Sequence, residues 1–361
     1  MPVSLVVGGQ FGSEGKGKVA LELARLYQGT PVTLVRVGGP NSGHTAYDKQ
    51  NRKFALRQLP AGCVDRNVDV VFPAGSYIDV EVLLDEIDEL DYPKERIFVS
   101  PFARIVTKEH KAWEKASGLG VAIGSTGSGV GAAVIASVAR GAKNFELHSV
   151  LAQDWAPVSR YVFNAKTRTA HDTTEMMRAS LQKDSRIIVE GTQGFGLSLL
   201  EGGYGNNATS RSTTAAAALA EAGLSPRDVD DVTLVIRSFP IRVAGNSGPL
   251  VGEMNWQDVA SHSRRGEDLR EYTTVTKKLR RVGQFDAYVV KRAIQANNPD
   301  RLVLNHLDYV GSPKELADSN SRLSRFVDGV QESLDRSLDW LGFSEFEVME
   351  NSRVLDFVQN R

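Results

Sequence analysis

One cysteine, Cys63, stands among 361 residues. A single thiol excludes an intramolecular disulfide and a cysteine-rich zinc site, and it suits a reducing compartment. No window approaches the roughly 18 uninterrupted apolar residues of a membrane span, and Met1-Pro2-Val3-Ser4 lacks a charged leader before an apolar stretch. A soluble cytoplasmic protein is the expectation. Charge of neither sign dominates: 43 Lys and Arg against 44 Asp and Glu leave a formal net charge of −1. No overall positive field is therefore present to recruit nucleic acid, although a local basic site is compatible with this balance. Internal repeats, a Pro/Ser linker and charged tracts are also missing, so 1–361 reads as a single domain with loop and helix insertions.

What is present is a series of short β-branched runs with helical patterns between them. They are Leu5 to Val7, Val32 to Arg36, Val68 to Phe72, Arg186 to Glu190, Val232 to Ile236 and Arg301 to Asn305. Apolar strands alternating with helices predict an α/β fold with a large, mainly parallel sheet covered on both faces. In Asp79 to Tyr92, Leu83, Ile87 and Leu90 share one helical face, which predicts a core-facing helix stopped by Pro93. Open α/β sheets bind ligands beyond the carboxyl ends of their strands. Four loops there are rich in Gly, Ser, Thr and Asn: Gly8 to Gly17, Gly38 to Thr45, Gly124 to Gly131 and Gly191 to Thr214. A fifth, Thr273 to Gly283, is basic.

The first loop, GGQFGSEGKGKV, has the spacing Gly12-x-x-x-x-Gly17-Lys18 that begins a Walker A phosphate loop, in which backbone amides and a lysine hold phosphates. Val19 stands where such loops carry the magnesium-binding hydroxyl. Lys16 and Lys18 oppose the dipole of the helix they open, so an anion is expected beside them. A glycine-rich turn with two solvated lysines is the plainer alternative. The second loop, GGPNSGHT, holds His44, the one histidine in the glycine-rich loops and a candidate acid or base. A surface histidine stabilising a turn is the alternative there.

GQFGSEGKGK followed by NSGHT resembles the paired signature of the adenylosuccinate synthetase family, usually GQWGDEGKGK and NAGHT. The likeness continues in order through IGSTGSGVGAAVIASVARG (Ile123 to Gly141), EGTQG (Glu190 to Gly194), TSRSTTA (Thr209 to Ala215), KLRRVGQFD (Lys278 to Asp286) and NHLD (Asn305 to Asp308). The resemblance implies a P-loop-NTPase-like fold and a two-step ligase. A nucleoside triphosphate phosphorylates the 6-oxygen of a purine nucleotide, and the amino group of aspartate then displaces that phosphate. By the same resemblance, the donor phosphates lie against Gly12, Ser13, Glu14, Gly15, Lys16, Gly17, Gly43, His44 and Thr45, with Asn305, His306 and Asp308 at the donor base. His44 and Lys16 stabilise the migrating charge. The purine nucleotide falls to Ser13, Asn41, Ser125, Thr126, Gln193, Thr209, Val243 and Lys278, with Arg140 reaching its phosphate from the other subunit of a homodimer. Aspartate falls to Thr273, Thr274, Val275, Thr276, Lys278 and Arg280, the last suited to bidentate carboxylate pairing. Magnesium is the implied metal, on Gly43 and position 13.

Three departures from the family pattern stand out. Ser13 replaces an aspartate that in the family takes the proton from ring nitrogen 1 and binds magnesium, and a neutral hydroxyl does neither well. It is shorter and both donates and accepts. A guanine 2-amino group needs that space and an acceptor, since a buried unsatisfied donor costs about 1–3 kcal/mol. His306 and Asn305 replace the lysine and threonine of a T-K-x-D element that reads the guanine of GTP, which makes ATP or dATP the expected donor. Phe346 to Arg353 lacks the Ser/Thr-Gly-Pro element packed on the same base. The combination resembles the bacteriophage branch of the family, which converts dGMP to N6-succino-2-amino-2'-deoxyadenylate for diaminopurine DNA. Glu14, His44 and water are the candidate proton acceptors. A conventional enzyme using IMP and GTP, and an inactive nucleotide-binding protein, are the rival readings.

Overall fold

The computed structural model describes residues 2–27, 29–65, 68–142, 145–158, 161, 172–261, 263, 266, 268–273, 276–352 and 354. Thr274 and Val275 of the expected aspartate segment lie outside the described residues, as does Arg353. The strands of the main sheet are β1 (Val3–Gly8), β2 (Val32–Arg36), β3 (Asp69–Phe72), β4 (Ile97–Val99), β5 (Arg186–Glu190), β6 (Val229–Arg237), β7 (Arg301–Asn305), β8 (Trp340–Gly342) and β9 (Val348–Glu350). They lie in the order β9-β8-β7-β6-β1-β5-β2-β3-β4. Every pairing is parallel except that of β8 with β9. All six apolar runs expected from the sequence are in this sheet. The strands of this sheet not anticipated are three of three residues each, β4 at one edge and the β8–β9 pair at the other.

Because side chains alternate across a pleated strand, each apolar run feeds two cores. Leu5, Val7, Ile187, Val189, Leu302 and Leu304 enter one layer, while Val6, Ile188 and Val303 enter the other. The helices that cover the sheet and border its carboxyl edge include α1 (Lys16–Leu26), α2 (Val80–Leu90), α3 (Lys108–Ala116), α4 (Leu119–Ala122) and α5 (Val130–Ala139). Leu83, Ile87 and Leu90 of α2 are buried as expected. That helix stops before Pro93, however: Asp91 adopts a left-handed φ of 47° and its amide returns to the carbonyls of Asp88 and Ile87. This left-handed closure, rather than the missing proline amide, ends the helix.

The carboxyl edge differs in chemistry from the strands that form it. Arg36 ends β2 directly opposite Glu190, which ends β5, and Arg237 ends β6 opposite Asn305 at the end of β7. All four are buried. Four apolar strands thus terminate in buried polar groups that pair across the sheet, on either side of the loop that leaves β1. Among the described residues, no helix is long and apolar enough to cross a membrane.

Candidate active site

A cavity of about 570 Å³ opens at this edge, and all five sequence-predicted loops line it. Gly12 and Ser13 come from the first loop, Asn41 and Gly43 from the second, and Ser125 and Thr126 from the third. Gln193 and Thr209 come from the fourth, Thr273 and Arg280 from the fifth, and Val243 completes the set. Leu119 of α4 and Val134, Ile135 and Val138 of α5 form an apolar wall.

The first loop turns through left-handed φ angles at Gly12 (91°), Ser13 (57°) and Gly15 (88°). Glu14 folds inside it, fully buried. Its Oε1 accepts from the amides of Gln10 (3.1 Å) and Gly12 (2.8 Å), and its Oε2 pairs with Lys16 Nζ at 2.8 Å. Lys16 also donates to the carbonyl of Gln193. Glu14 supplies the anion for Lys16, and Lys18 donates to the carbonyls of Ser344 (2.6 Å) and Glu347 (3.1 Å). That second contact ties α1 to the C-terminal strand pair, where Phe346 packs edge-on against Tyr47.

Ser13 is held at both ends. Its hydroxyl accepts from Arg280 Nη1, and its carbonyl accepts from Arg237 Nη1 at 2.9 Å. Arg237 is fully buried and pairs with Glu271, which also takes the Tyr309 hydroxyl at 2.8 Å. Burial alone would raise the Glu271 carboxyl, but the Arg237 guanidinium outweighs it and holds the group far below the usual carboxylate range. Gln10 clamps the same strand end, with Arg237 N donating to its Oε1 at 2.9 Å and its Nε2 donating to Arg237 O at 3.1 Å. A guanidinium on the Ser13 hydroxyl does not fit a magnesium ligand at that position. Among the described residues, no group of three or more His, Cys, Asp or Glu is placed to hold a metal.

His44 begins a short strand and is buried. Its Nδ1 meets Glu190 Oε1, the same atom that accepts Arg36 Nη1 at 2.7 Å. Arg36 Nη1 also lies 2.6 Å from Nδ1, so this ring nitrogen faces an acceptor, the carboxylate, and a donor, the guanidinium, at once. Nε2 is buried with no hydrogen-bond partner among the described residues. Burial first, and then the nearby Arg36 cation, push the imidazole pKa down to about 4. His44 is accordingly neutral. Glu190 Oε2 is satisfied by the amide of Ala61 at 2.9 Å.

The other expected residues divide between the cavity and its surroundings. Asn41 Oδ1 is buried without a hydrogen-bond partner among the described residues. Asn305 supports the first loop from behind, its Nδ2 donating to Glu14 O at 2.8 Å. Gly17 packs so closely that an added Cβ would lie 2.8 Å from that of Ala61 and 3.0 Å from that of His44. His306, at φ 62°, caps the turn Leu307–Tyr309, which contains the buried Asp308, and its ring lies 5.3 Å from that of Tyr309. Thr45 pairs with Ala55 in the strand that His44 begins. Arg140, Thr276 and Lys278 are exposed and outside the cavity lining. Thr276 hydrogen-bonds Thr273 through their hydroxyls at 2.6 Å.

Sequence reasoning missed Arg36, Glu190, Arg237, Glu271 and Arg242. Three of them end apolar strands, and a charge at the last residue of a β-branched run was the available signal. Arg242 lines the cavity between the rings of Phe11 (3.9 Å) and Tyr204 (4.8 Å), and burial lowers its pKa to about 10.

Comparison with known proteins agrees with this arrangement. The adenylosuccinate synthetase family model matches residues 5–156 and 158–317. Adenylosuccinate synthetases of Pyrococcus sp. (strain ST700) and Methanococcus vannielii are 36% and 34% identical over 312 residues. Each alignment covers 85% of this chain, and 84% and 85% of the respective relative. Among solved structures, the cyanophage S-2L succinoaminodeoxyadenylate synthetase, bound to dGMP and to dATP as an energy donor, is similar at 27% identity and a TM-score of 0.80. That match covers 99% of both chains. Fully ligated adenylosuccinate synthetase from Plasmodium falciparum, at 20% identity and a TM-score of 0.77, covers 97% of this chain and 99% of its own and shares the fold. Most of this chain's ordered motifs line one cavity, and the likeness runs through most of its length: the chain belongs to the adenylosuccinate synthetase family.

Proposed function

We propose that the chain joins L-aspartate to position 6 of dGMP, giving N6-succino-2-amino-2'-deoxyadenylate, a nucleoside diphosphate and phosphate. The γ-phosphoryl group of ATP or dATP moves to the 6-oxygen as the ring nitrogen 1 proton leaves. The aspartate amine then attacks carbon 6, and phosphate departs with the 6-oxygen. The observation that carries the reading is Ser13: a neutral hydroxyl, facing a guanidinium, stands at the position of the family's carboxylate. Its second lone pair is available to the guanine 2-amino group. The similar cyanophage enzyme, whose structure holds dGMP and dATP, supports the same substrates.

In this reading Lys16 exchanges Glu14 for a donor phosphate, and His44 meets the 6-oxygen. Glu14, His44 and water are the candidate acceptors for the nitrogen 1 proton. Asn41, Ser125, Thr126, Gln193, Thr209 and Val243 surround dGMP, with Arg140 contributed by a second copy of the chain. Thr273, Arg280 and the flanking segment bind aspartate. Magnesium enters with the triphosphate. The test supplies aspartate, magnesium and a donor, and follows the succinylated product from dGMP, GMP and IMP. Turnover of dGMP above IMP is expected. Because the relatives are named adenylosuccinate synthetases, the conventional enzyme using IMP and GTP is the alternative reading. IMP outperforming dGMP would establish that alternative, and no turnover with any purine would indicate a binding protein.

A further inference from the structure

The contact between Ser13 and Arg280 has a role of its own. We propose that Ser13 is a positioning residue: its hydroxyl seats the Arg280 guanidinium on the cavity wall, so that position 13 governs how tightly the carboxylate co-substrate is held. This rests on the reading in which Arg280 binds that co-substrate.

Four observations converge. Both residues line the cavity, and the contact joins Arg280 Nη1 to Ser13 Oγ. The serine is a fixed anchor, because its backbone is held at φ 57° and its carbonyl is pinned by the buried Arg237. The arginine segment is fixed to the same cluster, with Arg280 N donating at 2.8 Å to the carbonyl of Glu271, whose carboxylate pairs with Arg237. Beyond the hydroxyl, the Arg280 guanidinium has one hydrogen bond among the described residues, from Nε to Tyr272 O at 3.2 Å. Losing the hydroxyl would leave a long side chain on a single tether, with its rotamer freedom restored. The neutrality of the anchor matters as well. A hydroxyl orients the guanidinium without cancelling its charge, whereas a carboxylate at position 13 would compete with the co-substrate for it.

The test is the Michaelis constant for aspartate at saturating purine nucleotide and donor. Ser13→Gly, which suits the left-handed backbone, is expected to raise it about tenfold, the loss of one charge-assisted hydrogen bond. Ser13→Asn, a neutral acceptor that tolerates the same φ, should restore it to within about threefold. In an Arg280→Lys background, Ser13→Gly should add less than about twofold, since its effect runs through the arginine. If Arg280→Lys raises the constant while Ser13→Gly leaves it unchanged, or if the two effects multiply, the positioning role is wrong. If Arg280→Lys itself has no effect, the assignment of Arg280 to aspartate fails first and the positioning role falls with it.

Discussion

Glu190 shares one carboxylate oxygen between Arg36 and His44, and so sets the state of the histidine from beneath the cavity. The carboxylate fixes the ring from its Nδ1 side and leaves Nε2 without a hydrogen-bond partner among the described residues, while burial first, and then the Arg36 cation, keep the ring neutral. Glu190→Gln should therefore act twice. It leaves the Arg36 guanidinium buried and unpaired, at a cost of about 3–5 kcal/mol, which urea denaturation would record. It also frees the imidazole orientation, so the turnover number should fall further than in a variant of matched stability. His44→Ala should lower it about 100- to 1,000-fold with little change in substrate binding. A wild-type turnover number in His44→Ala would remove the histidine from the chemistry.

Acid sensitivity is expected from a second histidine. His110 closes the first turn of α3: its Nδ1 accepts from Thr107 N at 3.0 Å and its Nε2 meets the carbonyl of His148 at 3.0 Å. An imidazolium could not accept from Thr107. Burial accordingly holds its pKa below 6.5, against the opposing pull of the His148 carbonyl and of Glu109 and Glu114. With the folded pKa below the unfolded one, the unfolded chain takes the proton first. This contribution to stability is intact above about pH 6.5 and declines as the pH falls below it. Glu114 on the same helix caps the start of α5 at Gly129 and Gly131, so the loss reaches the cavity wall. His110→Gln keeps an acceptor for the cap without titrating. The difference in unfolding free energy between pH 7.5 and 5.5 should be smaller in that variant, and an unchanged difference would clear His110 of the effect.

Ser13→Asp tests the substrate reading directly. A carboxylate there meets Arg280 and removes the neutral space offered to a 2-amino group. Activity with dGMP should fall at least about tenfold, relative to IMP. An unchanged ratio of dGMP to IMP turnover would mean that position 13 does not select the purine.

How much of this was legible in the sequence depends on the range of the interaction. Alternation and β-branching in runs such as Arg186 to Glu190 are local, and they predicted the sheet. The glycine loops were legible because the backbone turns at Gly12 and Gly15 need the left-handed φ that glycine adopts freely. Ser13 was legible as a substitution but not as a partner of Arg280, 267 residues away. The tie from Lys18 to the C-terminal carbonyls, and the enclosure of Glu14 by its own loop, likewise follow from tertiary packing rather than from any short pattern.

The donor is expected to be ATP or dATP, with kcat/KM equal to or above that for GTP. In T-K-x-D sites a lysine lies in the place of His306, and here the histidine ring packs toward Tyr309. Asp308 alone then carries any guanine preference. A strict requirement for GTP in the succinylation assay would show that this aspartate suffices.

Arg140 gives the last test, because it sits at the left-handed end of α5, exposed and away from its own chain's cavity lining. The same helix leaves Val138 70% exposed beside the cavity, an apolar surface that a second copy would cover. If Arg140 completes the site of a partner, Arg140→Ala and His44→Ala each abolish activity in homodimers, yet a mixed dimer carries one site free of both substitutions. Random reassociation of equal amounts should therefore restore about a quarter of the wild-type rate. Full activity of the Arg140→Ala homodimer would place Arg140 outside the reaction, and no recovery on mixing two inactive homodimers would place it in its own subunit's site.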